Sequence, residues 1–317
     1  MIFQTGRQLL GNHMNTKSSG PGPDFLCIGQ QKAGTGWLYD QLQAHEDVWM
    51  PPIKELKFFN GDPFRAKHLS WLRDYQAERG GFFSDPLWHL NRLFHNKNAR
   101  ESTRKLESRF PDLDRRFWAI YAAAAAKRSR DAAWYLSVFN LPEKIASGDI
   151  SPNYSTATAE EIARAKSTVP EAKIILLIRD PVSRAKSAIS MAVRRGSFDE
   201  SRVNDWQTVL DFLNMPSVIA RSHATKTWES WNAAFGDAQC RYWLMDDIIR
   251  KPVETRDAIL NFLNLDPARA ELPASHNRKA SRKKAVFTAE TEARLGEYFK
   301  DEIRACQNLF GGAAMGW

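Results

Sequence analysis

The run Phe25-Leu26-Cys27-Ile28-Gly29-Gln30-Gln31-Lys32-Ala33-Gly34-Thr35-Gly36-Trp37 decides how the chain is built. A short apolar segment meets a glycine-rich turn, and the turn opens a helical pattern with Leu38 and Leu42 four residues apart. Strand, glycine loop and helix follow in that order. Further along, Lys173-Ile174-Ile175-Leu176-Leu177-Ile178 has the continuous apolar character of a strand buried on both faces, which calls for a parallel sheet covered by helices. It ends at Arg179-Asp180-Pro181, where the proline is expected to prevent direct continuation into a helix. From Ser183 to Arg195 a helical pattern places Ala185, Ile189, Ala192 and Val193 on one face. Two such units predict an α/β fold. The expected core is a parallel, doubly wound central sheet flanked by helices, with a P-loop-like phosphate-binding strand, loop and helix.

The 317 residues, with a formal net charge of +8, suffice for a full core without disulfides or metal. Residues 1–23 are rich in Gly, Ser, Asn and Pro and hold no acid before Asp24, so they read as a flexible tail, with Met14 as a second candidate start. Residues 24–317 are expected to form one domain carrying a helical insertion at about 87–131, which includes Ala122 to Ala126. Such an insertion builds either a lid or acceptor groove, or a helical layer with a solvated face. After Asn204 the pattern is mostly helical, with a short strand at Arg241-Tyr242-Trp243-Leu244. No stretch is apolar enough to span a bilayer, and the N-terminus lacks a signal core, so a soluble cytoplasmic protein is expected. Cys27, Cys240 and Cys306 lie far apart and fit a reducing compartment. The histidines are scattered, and no metal site is expected. Charge alone permits nucleic acid, an anionic membrane or a small polyanion.

The glycine loop narrows that choice. A loop between a strand and a helix start aims several backbone N–H groups, and the positive end of the helix, at one spot suited to phosphate or sulfate. A nucleoside-triphosphate loop needs Gly, four residues, then Gly-Lys-Ser/Thr. Here Gly29 and Gly34 have that spacing, but Thr35 follows and the lysine, Lys32, sits inside the loop. Trp37 beside it offers an aromatic face for a purine, or packs the first helix into the core. In the second unit, Arg179 leaves a buried strand at its C-terminal end, the edge where open α/β sheets bind ligands. Arg184 and Ser187, three residues apart on the following helix, would add a guanidinium and a hydroxyl for a phosphate dianion.

These residues resemble the sulfotransferases that use 3′-phosphoadenosine 5′-phosphosulfate (PAPS). Lys32-Ala33-Gly34-Thr35-Gly36-Trp37 is similar to that family's 5′-phosphosulfate loop, and Arg179 with Ser187 eight residues later is similar to its 3′-phosphate motif. The resemblance extends to Lys54-Glu55-Leu56-Lys57-Phe58-Phe59 and Gly148-Asp149-Ile150-Ser151-Pro152-Asn153-Tyr154, which look like segments of carbohydrate sulfotransferases. Trp134-Tyr135-Leu136 fits the same region, and Arg278-Lys279-Ala280 with Phe287-Thr288 loosely resembles a nucleotide-binding loop of the cytosolic branch. Two departures stand out. Lys57 occupies the place of an acceptor-site histidine of heparan-type members, and Gly36 replaces a Thr or Ser of the loop.

The resemblance implies sulfuryl transfer from PAPS to a hydroxyl of a carbohydrate or glycolipid, leaving adenosine 3′,5′-bisphosphate. Lys32 would face the bridging oxygen where charge develops, and Glu55 would take the acceptor proton, with His45 and His223 as alternative bases. Lys32, Ala33, Gly34, Thr35, Gly36, Trp37, Arg179, Arg184, Ser187, Arg278 and Lys279 would hold the nucleotide. The basic run from His276 to Lys284 would then close over the 3′-phosphate, where otherwise it is a solvated loop. The transferred group carries less charge than a phosphoryl group, so no bridging metal is expected. A phenolic or small-alcohol acceptor stays open. A P-loop kinase predicts a lysine after Gly34, and a nucleic-acid-binding protein predicts salt-sensitive binding that tolerates loss of Lys32.

Overall fold

Leu26 and Ile28 turn to one side of the first strand, β1 (Phe25–Gly29), and Phe25 and Cys27 to the other, and both sides are packed under helices. The computed structural model describes residues 21–80, 109–128, 130–143, 145–276 and 283–317. Within them β1 is followed by α1 (Thr35–Gln43), α2 (Ala66–Gly80), α3 (Pro111–Lys127), α4 (Ala132–Val138) and β2 (Gly148–Ile150). Next come α5 (Ala159–Thr168), β3 (Lys173–Ile178), α6 (Pro181–Arg194), α7 (Trp206–Leu213), α8 (Pro216–Ile219) and α9 (Ala224–Phe235). The chain continues through β4 (Cys240–Leu244), α10 (Met245–Arg250), α11 (Pro252–Phe262) and α12 (Ala289–Phe310).

The four strands run parallel in the order β2-β1-β3-β4. Continuous apolar strands require cover on both faces, and β3 divides as β1 does. Ile174, Leu176 and Ile178 join a cluster with α5 and α9, while Ile175 and Leu177 join one with α1 and α11. Chain direction fixes where a ligand binds. From β1 the chain goes to β2 on one side, and from β3 it goes to β4 on the other, so the connections diverge between the C-terminal ends of β1 and β3. Open α/β sheets bind ligands in that crevice.

The expected α/β class and parallel sheet are present, with local differences that have simple causes. Pro181 does not separate β3 from a helix; it is the first residue of α6. Proline tolerates that position because its missing N–H would have no helical partner. Asp180 completes the start by accepting from the amides of Val182 and Ser183 at 3.2 and 2.9 Å. β2 has three residues and lies within a stretch singled out by resemblance and not as a strand. Gly148 is needed there for space, since a Cβ would stand 2.2 Å from the Phe25 ring.

Of the expected insertion, residues 87–108 lie outside the described residues. The part that follows forms α3, and it packs inward. Phe117, Trp118, Tyr121 and Ala124 recur on one face and enter the main core, and the Tyr121 hydroxyl donates to the Pro63 carbonyl at 2.6 Å. Among the described residues, no helix is long and apolar enough to cross a membrane.

Candidate functional site

The loop at the end of β1 is shaped by backbone bonds. Gln30 donates its amide to the Leu177 carbonyl of β3 at 2.6 Å, and Ala33 donates back to Gln30 at 3.2 Å. Gly34 is the N-cap of α1 with a φ of 95°, in the left-handed region that glycine occupies without strain. No side chain caps α1, so the amides of its first turn face the loop. Lys32 also has a positive φ, of 80°, and its carbonyl accepts from the Arg179 guanidinium at 3.2 Å. The two residues expected to hold opposite ends of a nucleotide are therefore in direct contact, one from each side of the crevice. Burial pushes the Arg179 pKa down, and Asp180 and Asp246 partly offset that. A cavity of about 460 Å³ opens beside Arg179, lined also by Ser183, Met245, Asp246, Gly296 and Trp317. Its volume falls in the range of small-molecule sites.

Two of the residues expected to hold the nucleotide, Trp37 and Arg184, are packed into the interior. Trp37 is 8% exposed, and its indole N–H donates to the Ala274 carbonyl at 2.7 Å, so it packs into the α1 core. Arg184 was expected on the phosphate-facing side of α6, but it is 1% exposed and donates to the Ser222 hydroxyl at 2.5 Å. Burial and the nearby Arg221 lower its pKa to about 10. It braces the segment around Ser222. Ser187 is half-buried one turn beyond Ser183 on α6. Arg278 and Lys279 lie outside the described residues, but the flanks of their segment are anchored. Ala274 meets Trp37, while the Ala285 amide donates to Ser190 at 3.1 Å and the Lys283 carbonyl accepts from Arg194 at 2.6 Å.

The Lys54–Phe59 turn packs against the segment that follows β2 and reaches the start of α1 through Lys54 and Thr35. Ile53, Leu56, Phe58 and Phe59 are buried, which leaves Lys54, Glu55 and Lys57 at its partly open face. Glu55 and Lys57 take positive φ values of 68° and 57°. That geometry is held by the segment around β2. The Ser151 hydroxyl accepts from the Lys57 amide at 3.0 Å, and the Tyr154 hydroxyl accepts from the Phe58 amide at 3.0 Å. Both hydroxyls in turn donate to buried Asp149, at 2.7 and 2.6 Å, and Tyr135 adds a third at 3.3 Å. Burial raises the Asp149 pKa to about 6 against the pull of these donors. Reading the sequence singled out this stretch by resemblance; it did not reveal the carboxylate as the common anchor.

Glu55 lies among cations. Its carboxylate oxygens stand 4.0 Å from the Lys54 ammonium and 3.6 Å from the Arg65 guanidinium. Lys57 is pushed below its usual pKa by burial and by Arg65, Arg221 and Arg195. Arg221 donates to the Asn153 side chain at 2.8 Å, and Asn153 donates to the Asn60 side chain at 3.0 Å. The two other candidate bases are committed elsewhere. His45 is fully buried at the far end of α1 and bonds Asp266, and His223 pairs with Glu302 at 3.1 Å. Lys54 and Arg65 were not expected as site residues. Their signal was their distance from Glu55, one and ten residues, but only the folded turn makes both face it.

Comparison with known proteins bears on the family and the fold. The family model described as the sulfotransferase family matches residues 23–269. A crystal structure of a sulfotransferase from Alicyclobacillus acidocaldarius superposes with a TM-score of 0.59 at 19% identity, covering 93% of this chain and 98% of that one. Carbohydrate sulfotransferase 15 of Rattus norvegicus is 30% identical over 167 residues, which is 52% of this chain. That stretch is 26% of the rat protein, so the chain matches about a quarter of its relative's length.

Proposed function

The chain belongs to the sulfotransferase family, and from that premise we propose that it transfers a sulfuryl group from PAPS to a hydroxyl of a carbohydrate acceptor. The observation that carries this reading is the bond from the Arg179 guanidinium to the backbone carbonyl of Lys32, which brings the end of β3 and the glycine loop together at the crevice between β1 and β3. PAPS supplies an activated sulfuryl group on a phosphate leaving group. Lys32 and the first amides of α1 hold the 5′ end, and Arg179 with Ser187 holds the 3′-phosphate, with Arg278 and Lys279 as further contributors. Ala33 and Gly36 complete the loop, and Trp37 fixes α1 against the Ala274 backbone. The cavity beside Arg179 accommodates part of the nucleoside.

Glu55 receives the acceptor proton as the new oxygen–sulfur bond forms and the bond to the phosphate breaks. Lys32 stabilises the charge that gathers on the departing phosphate, and a preorganised cation of this kind contributes through electrostatics without reorganisation. The turn is polar: Arg65 lies 3.6 Å from the carboxylate, Lys57 and Arg221 feel its charge, and Arg221 is linked through Asn153 to Asn60. Such a surface suits a polyhydroxylated ring better than a flat phenol, and the partial relative named as a carbohydrate sulfotransferase supports the same class. Residues 24–317 would act as the catalytic unit. The three buried thiols suit a reducing compartment such as the cytoplasm.

Calorimetric titration with adenosine 3′,5′-bisphosphate, and separately with ATP and magnesium, tests the donor. Binding of the bisphosphate is expected; binding of ATP alone would refute the assignment. Transfer of labelled sulfate to a panel of glycans, glycolipids and phenols tests the acceptor, and exclusive use of phenols would overturn the carbohydrate reading.

A further inference from the structure

We propose that Asp149 is a positioning residue for the transfer: its ionised carboxylate, acting through the hydroxyls of Ser151 and Tyr154, holds the Lys54–Phe59 turn in the form that presents Glu55. This inference rests on the sulfotransferase reading and on Glu55 as its base. Asp149 lies in β2 and is 1% exposed, so it acts on the reaction only through what it holds.

The connection is a pair of relays. The Ser151 hydroxyl donates to one carboxylate oxygen at 2.7 Å and accepts from the Lys57 amide at 3.0 Å. The Tyr154 hydroxyl donates to the other oxygen at 2.6 Å and accepts from the Phe58 amide at 3.0 Å. The Leu56 amide bonds the carboxylate directly. The consecutive amides of Leu56, Lys57 and Phe58 thus answer to a single carboxyl group. They begin at the residue after Glu55, in a turn where Glu55 and Lys57 both take positive φ values. Backbone of that kind persists only where its surroundings over-determine it.

Charge gives the relays their direction. An ionised carboxylate only accepts, so each hydroxyl must turn its one proton inward and offer a lone pair to the amide. Tyr135 donates in the same sense from α4, at 3.3 Å. Burial and the Asp149 charge hold Tyr135 and Tyr154 well above their usual pKa, so both keep the protons they donate. The groups facing Asp149 are these hydroxyls, the Leu56 amide and, from β1, the Cys27 thiol, itself pushed up to about 12 chiefly by burial. None of them is a cation. A protonated Asp149 donates to one hydroxyl and leaves that hydroxyl's own proton without an acceptor, in a place where Ser151 and Tyr154 are both fully buried. Such an orphaned donor is costly, and the turn relaxes to relieve it. The fold is therefore more stable with the carboxyl protonated, while the turn requires it ionised.

Burial places the Asp149 pKa at about 6. Wild-type kcat is expected to fall about tenfold as pH drops from about 7 to about 5, in single-turnover transfer of labelled sulfate. Asp149→Asn should lower kcat at about pH 8 by about tenfold, the worth of a hydrogen bond to a charged group, and should abolish the fall near pH 6. Bisphosphate affinity should change by less than about threefold, because the nucleotide contacts come from the loop and β3. A fall near pH 6 that persists in Asp149→Asn, or a loss of bisphosphate affinity equal to the loss of kcat, overturns the proposal. Ser151→Ala and Tyr154→Phe each cut one relay and keep the carboxylate, which serves should the asparagine variant not fold. Each removes a donor to the ionised form and should move the fall to higher pH; an unmoved profile in both overturns the proposal. Amide exchange over residues 54–59 needs no turnover. It should be faster in the variants than in wild type at about pH 8, and equal protection overturns the relay. Wild-type protein that shows this protection but transfers no sulfate fails the sulfotransferase reading instead.

Discussion

The guanidinium of Arg179, at the end of β3, donates to the backbone carbonyl of Lys32 in the loop after β1 across 3.2 Å. One side chain thus sets the width of the crevice and offers charge to a ligand within it. Arg179→Ala is expected to weaken bisphosphate binding by about ten- to a hundredfold, the worth of a charge-assisted hydrogen bond. Arg179→Lys should recover less than half of that free energy, because an ammonium cannot span the carbonyl and a phosphate as a planar fork does. Calorimetry on the three proteins checks both; an unchanged affinity in the alanine variant would remove Arg179 from the site.

Gly34 gives a second prediction, about backbone shape. Its φ is 95°, and a Cβ added there would stand 2.9 Å from the Met245 sulfur. Gly34→Ala should destabilise the protein by about 1–2 kcal/mol through its backbone and about 1–3 kcal/mol more through overpacking. Combining it with Met245→Ala should relieve the packing part and leave the conformational part. Urea unfolding of the single and double variants separates them, and a double variant no more stable than Gly34→Ala would show that the sulfur is not the obstacle.

The fold was legible where one local signal dominated. Residues 25–36 and 173–181 each pair an apolar strand with a turn at its C-terminal end, so β1, β3 and their crevice followed from patterning. β2 was hidden because three residues give no periodicity, and Gly148 reads as a turn glycine when its reason is the ring of Phe25. Arg184 misled because its spacing to Ser187 describes a helix face without saying what covers it. Lys54 stayed silent for a related reason: its contact with Thr35 spans nineteen residues and depends on two positive φ values in the turn.

Asp149 predicts a pH effect on stability. Burial raises its folded pKa from an ordinary 3.8 to about 6, so over that interval the folded state binds more protons than the unfolded state. The contribution of this group to stability is present below about pH 4, falls as pH rises through about 6, and is constant above that. The fall amounts to about 3 kcal/mol at most. Asp149→Asn should flatten the profile across this window, as measured by urea unfolding at a series of pH values. A parallel profile in the variant would show that another group carries the slope.

Glu55 allows backbone and chemistry to be tested apart. Its φ of 68° is unfavourable for a side chain with a Cβ, by about 1–2 kcal/mol relative to glycine. The position nevertheless holds a carboxylate between Lys54 and Arg65, at 4.0 and 3.6 Å. If the residue served only the turn, Glu55→Gly would relieve the backbone at no cost to activity. A proton acceptor predicts the opposite. Glu55→Gly should raise or preserve thermal stability, and both it and Glu55→Gln should lower kcat by about 10²–10⁴. Bisphosphate affinity should change little in the glutamine variant, because the nucleotide contacts come from the loop and from β3. Calorimetry and single-turnover transfer of labelled sulfate measure the two halves, and full turnover in Glu55→Gln would transfer the role of base to another group.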